Sequence, residues 1–222
     1  MGFGQLPYDV AHVLGGAMLL VSFVLLYQRR TAALVNALAL QGVLLAAAAV
    51  WQGYVQGAPQ LYATGLIALA AKGIAIPLFL RRMMQSRMPD RAVEPAQSIG
   101  LSMLGGVLLV ALAILVVLPA TTGARALARE DLAMALSIVL LGLLTMITRR
   151  SALGQVAGLM TLENGLVLGA VGVAGMPLVI ELSTAGLVLV VIVIAGFFAR
   201  LLRERFDSLD TDMLHTHRGE GR

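Results

Sequence analysis

The stretch LYATGLIALAAKGIAIPLFL, Leu61–Leu80, followed at once by Arg81 and Arg82, decides the class of this protein. At a rise of ~1.5 Å per residue it is long enough to cross the ~30 Å hydrocarbon core of a bilayer. Its only charged residue is Lys72. On either side of it, similar apolar runs cover about Tyr8–Tyr27, Thr31–Val55, Ser98–Leu118, Asp131–Thr148, Ser151–Ala174 and Pro177–Ala199. Seven runs in 222 residues predict an all-α, polytopic membrane protein with seven transmembrane helices. Composition agrees, with 59% hydrophobic and only 13% charged residues, against ~25% charged in a soluble domain. This excludes a soluble enzyme and a nucleic-acid-binding domain. It also excludes an outer-membrane barrel, whose segments would be short and alternating. With no cysteine, the chain offers no disulfide, no thiolate-held iron–sulfur cluster and no thiolate nickel or zinc site.

The charges set an expected topology. Of sixteen Lys and Arg residues, thirteen follow spans 1, 3, 5 and 7, among them Arg29, Arg30, Arg81, Arg82, Arg149 and Arg150. Only Arg125 and Arg129 fall on the other side. The positive-inside rule then puts the N-terminus outside and the C-terminus in the cytoplasm of a prokaryotic inner membrane. On this reading the net charge of +4 is a topology signal and calls for no nucleic-acid partner. The segment before span 1 lacks a basic n-region, so that span is expected to remain in the mature protein.

Span 1 ends in QRRTA at 28–32 and span 5 in TRRSA at 148–152, an offset of 120 residues. Duplication would make spans 1–3 and 5–7 parallel repeats in a 3+1+3 arrangement; independent recurrence of a common arginine stop is the alternative. The expected organisation is residues 1–97 for spans 1–3 with their basic loop and 98–130 for a linking span 4. Spans 5–7 then fill 131–205, with a polar tail at 206–222.

Ionisable residues at mid-bilayer cost ~2.5–3.5 kcal/mol on insertion scales and persist where a partner, water or function compensates. Lys72 and Glu163 both fall near the middle of their spans by residue count. Gly65 and Ala68 precede Lys72 on one face and should leave space beside its ammonium. Pro77 cannot donate to the Gly73 carbonyl, which predicts a kink just past the lysine. Gly154, Gly158, Gly165, Gly169 and Gly172 fall within about 60° of one another at 100° per residue, with Glu163 about 180° away. That stripe should pack on one neighbour and turn the carboxylate toward another helix, a water-filled cavity or a second subunit. Glu181, early in span 7, is a candidate proton-entry group or a glutamate favoured by the helix dipole. Gln41, midway along span 2, is expected to hold water or make an interhelical hydrogen bond. For Lys72 and Glu163 the competing expectations are a proton relay and an ion pair that fixes helix register. His12 reads as an interfacial histidine, and Glu130 with Asp131 as the acidic start of span 5. His215 and His217 lack the companions a metal site needs, and no phosphate-binding or nucleophile motif is present.

Three stretches, Ala71–Leu78 (AKGIAIPL), Gly158–Gly165 (GLMTLENG) and Leu209-Asp210, carry a resemblance that covers most of the chain. In these the chain resembles component E of hydrogenase-4, a membrane subunit of complex I-related group 4 [NiFe] hydrogenases. Spans 5–7 are also similar to the NuoK-type subunit of complex I and its counterpart in Mrp-type antiporters, with Met160 about one turn from Glu163 where that pattern has a carboxylate. The resemblance implies a non-catalytic membrane-arm subunit that adds buried charges to proton translocation. Its partners would be antiporter-like membrane subunits, a membrane anchor and a cytoplasmic redox arm. NiFe and iron–sulfur centres would lie only in those partners, with no cofactor in this chain. A subunit of a Mrp-type cation/proton antiporter, or a structural spacer between antiporter-like subunits, are the alternatives.

Overall fold

A computed structural model of the chain describes residues 6–87, 98–121, 126–149, 151–172 and 196. The described residues form helices and short connections between them, with no β-strand. The helices are α1 (Leu6–Tyr27), α2 (Thr31–Gln56), α3 (Pro59–Ala68), α4 (Ile76–Arg87), α5 (Ile99–Ala120), α6 (Ala126–Thr148) and α7 (Ala152–Gly172), and a π-helical stretch, Leu69–Ala75, joins α3 to α4. Five helical segments are long and apolar enough to cross a membrane: Asp9–Tyr27, Thr31–Gln56, Pro59–Arg82, Ile99–Ala120 and Glu130–Thr148. Helix α7, the sixth expected span, has a similar length of 21 residues but is not among these five. Gln155, Thr161, Glu163 and Asn164 lower its apolarity, and three of the four find partners inside the protein as described below. The seventh expected span, with Glu181, lies outside the described residues.

Four helices build the core. Helices α1, α2, α7 and α6 contact one another in that cyclic order, α5 packs on α6 and α1, and the α3–π–α4 segment packs on α2. The sharp α2–α3 turn is closed by Gly57, in the left-handed region at φ 62°, where a glycine has no steric penalty. The glycine stripe of α7 does pack on one neighbour, α6. A Cβ on Gly158 would lie 2.7 Å from the Met146 nitrogen, and one on Gly165 would lie 2.8 Å from that of Val139. Gly169 and Gly172 continue the row against Ala135 and Asp131, whereas Gly154 faces the side chains of Arg149 and Ser151. Gly142 of α6 completes the seam, since a Cβ there would sit 2.5 Å from the Leu162 nitrogen. Backbones this close gain dispersion contacts that a lipid-facing helix would lose.

Two expectations need correction. Helix α6 starts at Ala126, so Glu130 and Asp131 sit more than a turn inside it and are not its N-terminal residues. Gly65 does not leave room beside the lysine. A Cβ there would be 2.6 Å from Val50 Cγ2 and 3.0 Å from the Ala46 carbonyl oxygen, so α2 fills that space.

Arg149, just past the end of α6, has a structural contact that its place in the charge pattern does not disclose. Arg149 is buried at 3% exposure, and its Nη2 donates to the Leu25 and Leu26 carbonyl oxygens, both at 2.9 Å. The last turn of α1 has no basic residue of its own. Arg149 therefore brings, from another helix, the cation that a helix C-terminus favours. Burial, and then the nearby Arg29 guanidinium, lower its pKa from the ordinary value.

Candidate functional site: a buried ion pair and an amide chain

Lys72 lies within the π-helical stretch, where the Ile76 N–H donates to the Ala71 carbonyl oxygen. In that register the next donor would be Pro77, which has no N–H. The effect of the proline thus takes the form of a π segment around the lysine, and Pro77 itself is buried in the first turn of α4. Such segments concentrate at functional positions because they re-aim one side chain and loosen one carbonyl. Gly42 of α2 makes the arrangement possible: a Cβ there would be 2.6 Å from the Lys72 carbonyl carbon and 2.7 Å from its oxygen. Any larger residue would push the π segment off α2.

From this position the Lys72 ammonium reaches α7. Lys72 Nζ lies 3.2 Å from Glu163 Oε1, and the two side chains are 1% and 4% exposed. Lys72 stands ten residues before Arg82 and Glu163 eleven after Ala152, which places both ~15 Å in from the arginine-bearing end. Beyond this contact, neither Lys72 Nζ nor either carboxylate oxygen makes a hydrogen bond among the described residues. The pair is thus held by charge and enclosure and not by a saturated hydrogen-bond shell, a costly arrangement for buried ions.

Next to the pair runs a chain of neutral polar groups. Asn164 Nδ2 donates to Gln41 Oε1 at 3.1 Å. Gln41 Nε2 donates to Ser22 Oγ at 2.9 Å, and Ser22 Oγ donates to the Met18 carbonyl oxygen at 2.9 Å. All three side chains are buried, and they link α7, α2 and α1. Asn164 follows Glu163 in sequence and Gln41 precedes Gly42, so the chain shares both of its α2 and α7 attachment points with the ion pair. Ser22 is five residues from the end of α1, so the chain leads from mid-depth toward the arginine-bearing end. Thr161 is satisfied within its own helix by the Ala157 carbonyl.

The structure therefore brings Lys72, Glu163 and Gln41 into one buried polar region, while Glu181 lies outside the described residues. Sequence reasoning missed Ser22 and Gly42, and it left the opposite end of the bundle unconnected. There His12 Nε2 lies 2.7 Å from Glu130 Oε2 and 3.9 Å from Asp131 Oδ1. Three charged or titratable residues at the same ends of two apolar runs were the available signal. Among the described residues no group of three or more His, Cys, Asp or Glu side chains is placed to hold a metal ion.

Compared with known proteins, the chain is 30% identical over 203 residues to the protein named "Uncharacterized protein Rv0085" of Mycobacterium tuberculosis, an alignment covering 90% of this chain and 91% of the relative. No family model matches, and no solved structure matches.

Proposed function

The chain belongs to the family of Rv0085 from Mycobacterium tuberculosis, and we propose that it is a non-catalytic, proton-conducting membrane subunit of a complex I-like, group 4 hydrogenase-type assembly. In this reading α7 and the segment at 177–199 join the five apolar helices as transmembrane spans. The N-terminus faces outward and the arginine-rich turns face the cytoplasm of a prokaryotic inner membrane. Redox centres belong to partner subunits, and this chain lies among antiporter-like subunits and a membrane anchor. The sequence resemblance supports the assembly, and the positive-inside distribution supports the orientation.

One observation carries the functional reading: Lys72 and Glu163 are paired at mid-depth, almost fully enclosed, beside a hydrogen-bonded chain that leads toward one end. Intramembrane ionisable residues of this kind mark proton pathways more often than scaffolds, because apolar packing would hold the helices more cheaply. In the proposed cycle the carboxylate and the amine exchange a proton. The pair is an ion pair in one state and a neutral pair in the other; the Glu163 acid then gives its proton to water or to a polar group of a neighbouring subunit, and the Lys72 amine takes another from the opposite side, which restores the ion pair.

The test uses the intact complex in proteoliposomes, with Lys72→Met and Glu163→Gln. Assembly with redox activity retained and proton translocation lost supports the relay. Unchanged translocation in both variants rejects it. The 3.2 Å separation and near-complete burial also favour a second reading, a pair that only sets the register of α7 against the π segment. That reading predicts lower stability in both variants with translocation intact in whatever complex assembles.

A further inference from the structure

At the end of the bundle opposite Arg29, Arg81, Arg82 and Arg149, the four core helices leave a cleft lined by Gly15 of α1, Ala48 and Gln52 of α2, Asp131 and Met134 of α6, and Leu168 of α7. Its free volume is about 10 Å3, on the scale of a single water molecule. The groups facing it from α1 are apolar apart from the His12 contact with Glu130 and Asp131 at the rim. Gln52 faces it from α2, Asp131 from α6, and α7 presents only Leu168 and Gly172. The absence of a Cβ on Gly15 makes room for the Met134 thioether, which would otherwise lie 3.1 Å away.

One turn deeper the lining changes. Met18 follows Gly15 along α1, Leu45 precedes Ala48 along α2, and Ile138 follows Met134 along α6; all three are fully buried. They share one apolar cluster with Leu168. A further turn brings Ser22 on α1, Gln41 on α2 and Asn164 on α7, the members of the amide chain. A polar cleft and a polar interior are therefore separated by one layer of apolar side chains, ~5–6 Å thick at one helical turn. A dry constriction of that thickness blocks a water chain, and small displacements that admit water restore it.

We propose that this cleft is the access path for water and protons from the arginine-poor face to the Lys72–Glu163 pair, and that Met18, Leu45, Ile138 and Leu168 form its gate, closed in this structure. The inference rests on the relay reading for its purpose, but the path and its gate can be tested without it. Asp131 is the group at the mouth through which protons load or leave.

The chain supplies its own probes, because Met134 lies in the cleft, Met18 in the gate, and Met160, which is 1% exposed, elsewhere in the core. Radiolytic hydroxyl-radical labelling of the full chain in nanodiscs, read as methionine sulfoxide by mass spectrometry, reports where water resides. Met134 is expected to oxidise at least ~10-fold faster than Met18 and Met160. Equal protection of Met134 and Met18, or equal reactivity, overturns the proposal without any variant. In folded Leu45→Asn, Met18 oxidation should rise toward that of Met134, while Leu45→Met leaves the pattern unchanged. An unchanged Met18 rate in folded Leu45→Asn removes the gate. Glu163→Gln should not alter the labelling, so loss of proton translocation in that variant and loss of the cleft pattern are separate failures.

Discussion

Removing one member of the Lys72–Glu163 pair tests the energetics of the site most cleanly. At 3.2 Å and an effective dielectric constant of ~20, the attraction between unit charges is about 5 kcal/mol. The desolvation of both ions offsets much of that, so the intact pair adds little net stability. Lys72→Met removes the attraction but leaves the Glu163 carboxylate 4% exposed with no hydrogen-bond partner among the described residues. The expected loss is ~3–5 kcal/mol, the range for stranding one buried charge, or a fall in Tm of about 10 °C for a chain of this size. Lys72→Met with Glu163→Gln should recover most of it, because no charge remains to be stranded. Thermal unfolding in nanodiscs, followed through Trp51, the single tryptophan, reads all the variants. A Lys72→Met protein within ~1 kcal/mol of the parent, or a double variant no more stable than the single, would refute the pairing logic.

Three further outcomes follow from the packing. Gly42→Ala should destabilise by ~1–3 kcal/mol, as overpacking against a backbone does, and should loosen the π segment; raised hydrogen exchange at 69–76 is the check. Arg149→Met should cost ~2–4 kcal/mol, since it leaves the Leu25 and Leu26 carbonyls without their donor; Arg149→Lys should recover part of this, and equal Tm values for Arg149→Met and the parent would contradict it. Asn164→Leu strands Gln41 Oε1 and should cost ~1–3 kcal/mol, whereas Asn164→Leu with Gln41→Leu should be closer to neutral, a difference that a double-mutant cycle measures.

The helical class, the approximate positions of the described helices and the placing of Lys72 and Glu163 at similar distances along them were legible from the chain, because apolar length and residue count fix them. The glycine stripe of α7 was legible too, since five glycines on one face have few other uses in a membrane. What the chain did not disclose depends on which helix meets which. Gly42 looks ordinary until the Lys72 carbonyl is found against it, and Ser22 is one more small residue until Gln41 donates to it. Arg149 reads as a stop signal because its contacts with Leu25 and Leu26 cross more than 120 residues of chain. Pro77 in sequence implies a kink, but a lost donor can also be absorbed by changing helical register, and no local propensity separates the two. Asp131 looked like the first residue of a helix because the apolar run starts there. The helix itself begins earlier, and this leaves the carboxylate at the mouth of a cleft that no single span encodes.

In the proposed relay Glu163 gains and loses a proton during turnover. Infrared difference spectroscopy of the working complex addresses this directly through the carbonyl stretch of a protonated carboxylic acid, assigned by its shift in D2O and by its loss in Glu163→Gln. Such a band is expected in the parent, absent from Glu163→Gln and displaced in Lys72→Met. A parent complex that turns over and pumps with no band attributable to Glu163 would contradict it.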